Sequence, residues 1–146
     1  MPSADPFNLQ RFLDAQEHVY ARALAEIRAG RKETHWMWFI FPQLDGLGFS
    51  PMAERYAITN LDEARAYLVH SVLGPRLIEV AEAARGVNNS SARAVFGTPD
   101  DLKLRSCATL FAEASQPGSV FERLLEKYCR GEKDEKTLRL LKSADE

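Results

Sequence analysis

Any acid–base chemistry in this chain would turn on His35. It heads the run HWMWFIFPQ, residues 35–43, in which two tryptophans, two phenylalanines, a methionine and an isoleucine follow. Imidazole changes charge near neutral pH. At the edge of an aromatic block it is partly desolvated, which disfavours its charged form and suits it to act as acid or base. The plainer reading is a core histidine paired with a backbone carbonyl, because buried polar groups are normally satisfied.

Arg31 and Lys32 precede the run. Basic residues beside a helix N-terminus hold phosphate or carboxylate, although the same residues can simply complement the negative end of the preceding helix. Trp36 and Trp38 offer rings on which a base would stack, against the commoner role of large aromatics in a core. Lys103, Arg105 and Ser106 lie near the start of a later helix, and Arg76 follows Pro75 at another. The joint expectation is a pocket for a small anionic, nucleotide-like ligand. His35 would be its catalytic residue, with Lys32, Trp36, Trp38, Arg76, Lys103 and Ser106 as binding residues. The alternative is a non-catalytic interaction or homodimer assembly module in which the aromatic run is purely structural. A concave pocket with converging cations separates the first from the second, which predicts a broad exposed apolar patch.

Other chemistries find no support. The chain has no phosphate-binding glycine motif, no nucleophile elbow and no H-E-x-x-H. The histidines at 18, 35 and 70 have no partner at metal-ligand spacing, and no metal or cofactor is expected. His18 falls on the polar side of the first helix, and His70 reads as a helix-end residue.

The elements that must position these residues read as helices. Residues 35–41 are apolar on every side as helix or as strand, so they are buried either way. Helix is preferred because the neighbouring segments are helical, with Thr34 as its cap and Pro42 as its stop. A first helix is predicted over 8–29, closed by Gly30. Ser50-Pro51 opens a short helix to Tyr56, and Asn60 caps one to about Val69. Pro75 is expected to open a helix to about Arg85. A short helix over 91–96 follows. Thr98 caps the next, with Pro99 at its first position and acids in its first turn, to about Ser115. Ser119 starts another that Gly131 closes, and a last one begins near Asp134. The fold class is all-α, a single compact irregular array of about seven to nine helices. One domain spans 1–146, with 1–7 and 143–146 expected to fray.

The 146 residues carry a formal charge of −2, which gives no support to nucleic-acid binding. No apolar run approaches a membrane span, and MPSADPFN lacks the pattern of a secretory signal. Cys107 and Cys129 form no C-x-x-C and read as reduced thiols. The expectation is a cytoplasmic monomer or homodimer.

The segments RKETHWMWFIFPQLDGLGFSPMAERYAI, LDEARAYLVHSVLGPRL and FGTPDDLKLRSCATLF together resemble a bacterial family of unknown function, sometimes labelled calpastatin-like. The likeness runs from about Asn8 to Leu141 and rests on HWMWFIFPQ at 35–43, SPMA at 50–53 and KLRS at 103–106. It implies a small helical cytoplasmic protein and brings no established reaction, cofactor or catalytic residue. Cys107 stands where that family more often has serine or another small residue, which argues against a thiol nucleophile there.

Overall fold

Capping explains where most helices begin. In the computed structural model, which describes residues 5–144, Ser50, Asn60, Ser91 and Ser119 each accept a hydrogen bond from the backbone N–H three residues on. These bonds satisfy donors that a helix start would otherwise leave open. They open α4 (Pro51–Arg55), α5 (Leu61–Val69), α7 (Ala92–Phe96) and α9 (Val120–Cys129). The others are α1 (Gln10–Gln16), α2 (Tyr20–Arg28), α3 (Met37–Ile40), α6 (Leu73–Arg85), α8 (Asp100–Glu113) and α10 (Glu135–Ala144). The described residues thus form ten helices and no strand, apart from a single bridge between Leu44 and Ile58.

Ten helices exceed the expected seven to nine, and the first helix is the reason. It does not run unbroken over 8–29. Val19 leaves helical geometry at φ −121°, and its N–H turns back to Gln16 O. Gln16 is buried, and its amide donates to Phe39 O at 2.8 Å and to the Tyr67 hydroxyl at 3.1 Å. The break lets α1 anchor α3 while α2 packs on α6.

Two other starts differ from expectation. Helix α6 opens at Leu73, before Pro75, because His70 Nδ1 accepts from the N–H groups of Val72 and Leu73. His70 therefore caps a helix start and does not merely end α5. Gly74 permits this tight corner, since a Cβ there would lie 2.0 Å from Leu68 O. Thr98 makes no cap: the Thr98–Pro99 peptide is cis and Pro99 itself takes the capping position of α8. Asp100 and Asp101 still occupy the first turn, where carboxylates suit the helix dipole.

The aromatic run is buried at Trp36, Met37 and Phe39–Phe41 but not at His35 or all of Trp38, and it is helical only over Met37–Ile40. The Trp36 ring lies 6.4 Å from those of both Phe41 and Phe96, and Phe12, Tyr67, Phe111 and Phe121 continue the ring contacts through the interior. Helix α8 packs against α5, α7, α9 and α10, which fixes its N-terminus beside the run. No helix among the described residues is long and apolar enough to cross a membrane.

Candidate functional site

The site is built on a buried carboxylate, Glu26 of α2. Residues 31–36 have no regular structure, so their polar groups need other partners. Glu26 accepts from Glu33 N at 2.8 Å, Thr34 N at 3.0 Å, Thr34 Oγ1 at 2.7 Å and Trp36 Nε1 at 2.9 Å. Lys32 N donates to Val95 O at 2.7 Å. Thr34, expected to cap the aromatic helix, is thus committed to Glu26. Burial raises the pKa of the Glu26 carboxyl, but the hydrogen bonds from Thr34, Glu33 and Trp36 outweigh it and hold the value at about 2.

This strap lies against the start of α8, and a cleft of about 410 Å³ opens between them. Lys32, His35, Trp36, Trp38 and Lys103 all line it, with Glu33, Thr98, Pro99 and Asp100. The Lys32 ammonium sits 2.9 Å from one Asp100 oxygen and 5.0 Å from the Trp36 ring centroid, its side chain only 8% exposed. The Lys103 ammonium lies 3.4 Å from the other oxygen and 5.1 Å over Trp38, with 23% exposure. One carboxylate therefore sits between two lysines, each on the face of a different tryptophan. Lys32 is held tightly and Lys103 loosely. With Glu33 nearby the lining is close to charge balance, not strongly basic.

Several expectations need correction here. His35 is exposed and is not enclosed by the aromatic run. Nor is it the carbonyl-paired core histidine of the plainer reading. Trp36 is fully buried with its N–H on Glu26, and serves the core. Trp38 is half-buried and is the ring within reach of the cleft. Arg76 does not line the cleft. Its guanidinium stacks 4.9 Å over Tyr20 and donates to Gln16 at 3.3 Å, bracing α6 on α1 and α2. Ser106 is buried and donates to Leu102 O at 3.1 Å within α8. Arg105 is occupied with the carbonyls of Glu132 and Lys133. Burial pushes the Cys107 thiol well up, against use as a nucleophile.

Sequence reasoning missed Asp100 and Glu26. Asp100 was visible as a first-turn acid, and its spacing to Lys103 suits an i,i+3 pair. Nothing local points from Asp100 to Lys32. Glu26 falls among helix-surface carboxylates and carries no signal of its role.

The arrangement defines a small all-helical protein with one strapped cleft of mixed charge walled by indole. The chain belongs to the family described as "Protein of unknown function (DUF1810)", whose model matches residues 6–141. It is similar to the conserved hypothetical protein Rv1873 from Mycobacterium tuberculosis, whose crystal structure superposes with a TM-score of 0.92. The two are 53% identical over 94% of this chain and 98% of that one. The comparison with curated proteins gives no match.

Proposed function

We propose that the cleft binds a small anionic, nucleotide-like ligand. Lys103 and Lys32 are its cations, Trp38 its aromatic wall, and His35 an acid–base group at the mouth. The observation that supports this is convergence: the strap and α8, far apart in sequence, bring two ammonium groups, an imidazole and an accessible indole to one hollow. Lys32 is nine-tenths buried with a single carboxylate for its three donors. Exposed His35 lines the same hollow, within reach of a bound group. The free thiols fit a reducing compartment such as the cytoplasm.

The assembly reading draws less support. Among the described residues the large exposed apolar side chains are Phe49, Val69, Val72, Ile78 and Leu102; Val69 and Val72 share the corner between α5 and α6, whereas Phe49 and Leu102 lie on other segments, so the five do not line one helix face.

The test is an NMR titration of the full chain with inorganic phosphate and ribose 5-phosphate. Signals of the His35 ring and Trp38 Nε1–H are expected to move, and those of His18, which does not line the cleft, to stay. Lys103→Ala is expected to weaken the response. If neither probe moves the His35 or Trp38 signals, the cleft is not an anion site and the proposal fails.

A further inference from the structure

We propose that Lys103 is a placeholder on Trp38, and that a nucleoside monophosphate displaces it, the base taking the indole face while the phosphate draws the ammonium aside. The inference rests on the anion-binding reading of the cleft and names the ligand class.

Three observations carry it. Trp38 is the half-buried member of a run in which Trp36 is 0%, Phe39 6% and Phe41 1% exposed. A tryptophan that the core does not enclose, beside a cleft, retains a face for another ring. That face is covered by the Lys103 ammonium, whose hold on Asp100 is longer and wetter than that of Lys32. The third observation is a neighbouring void. A second cavity of about 10 Å³, room for roughly one water, is lined by Phe41, Gln43, Ala53 and Tyr56 and shares Met37, Trp38 and Lys103 with the cleft. Trp38 and Lys103 thus border both the cleft and a small void, so the Lys103 side chain is not packed on every side.

The exchange favours a ligand carrying both groups. A phosphate alone gains Lys103 but forfeits its contact with the indole. A ring alone must displace the ammonium without offering it a new partner. A phosphate joined to a base supplies the partner and fills the vacated face together.

The experiment compares adenosine 5′-monophosphate with ribose 5-phosphate on the full chain by calorimetry and NMR. The nucleotide is expected to bind at least about tenfold tighter, a difference of the size that stacking one base provides. Its base protons should show NOEs to the Trp38 ring and none to Trp36. Trp38→Leu is expected to abolish the nucleotide's advantage over ribose 5-phosphate. Lys103→Met is expected to weaken both. Equal binding of the two probes to the wild-type chain, or absence of the Trp38 NOEs, overturns the inference while leaving the anion site standing. That readout holds even where Trp38→Leu fails to fold. Failure of ribose 5-phosphate and nucleotide alike removes the anion site itself, and the inference with it.

Discussion

Replacing Glu26 by glutamine tests the strap that builds the cleft. Three donors, from Glu33 N, Thr34 N and Trp36 Nε1, converge on one carboxylate oxygen, and Thr34 Oγ1 donates to the other. Glutamine keeps the shape and one acceptor oxygen, and the threonine hydroxyl can rotate to accept from the new amide. What is lost is the charge. The carboxyl's pKa falls from 4.5 to about 2 in the fold, burial raising it and the Thr34, Glu33 and Trp36 hydrogen bonds lowering it further. At 1.36 kcal/mol per unit that corresponds to at most about 3.4 kcal/mol, and solvent screening near the surface reduces it to about 1–2 kcal/mol. Because the folded value is depressed, this stability is fully present above about pH 4.5 and is lost as pH falls toward about 2. Urea denaturation of Glu26→Gln is therefore expected to show a cost of about 1–2 kcal/mol at pH 7, within the range for charge-assisted hydrogen bonds. The gap from wild type should narrow steadily between pH 5 and pH 2.5. A cost below about 0.5 kcal/mol, or a gap that does not change with pH, would refute the assignment of Glu26 as the strap's charged anchor. Glu26→Ala, which leaves the Trp36 N–H and two backbone donors unpaired, is expected to cost about 3–5 kcal/mol.

The two tryptophans should separate in the same assay: Trp36→Ala is expected to cost about 3–5 kcal/mol as a buried aromatic, Trp38→Ala about half that or less because it is only half enclosed. Equal costs would contradict the division of labour between them. Gly74→Ala places a methyl group against Leu68 O and is expected to destabilise the corner between α5 and α6 by more than about 2 kcal/mol, the scale of overpacking. A thermal midpoint unchanged from wild type would show that the corner relaxes freely.

Local chemistry is what the sequence reported well. Ser50, Asn60 and Ser119 act as caps because a side-chain oxygen reaches an N–H three residues away whatever the rest of the chain does. The all-helical class and the burial of Trp36, Met37 and Phe39–Phe41 follow from the same short range, since an element apolar on all sides has nowhere else to go. Where a local signal failed, a tertiary partner had outbid it. Thr34 gave up its cap to bond Glu26, and the helix over 8–29 broke where Gln16 turned inward to Phe39 and Tyr67.

The candidate cleft was half legible. Lys32, His35, Trp38 and Lys103 could be picked out because an anion-binding site needs cations, and those cations sit beside helix starts and aromatics. Arg76 and Ser106 met the same criteria and belong elsewhere, one braced on Tyr20 and Gln16, the other bonded within α8. No local pattern distinguishes them, because the packing of α6 on α2 and α5 and of the strap on α8 decides which side chains meet. The exposure of His35, the Asp100 bridge between two lysines and the convergence on Glu26 all depend on that packing. Sequence determined which helices form and which residues must be buried, through interactions spanning a turn or two. The tertiary structure alone decided which charges share a site, because ion pairs and cavities depend on distances between segments that sequence spacing does not specify.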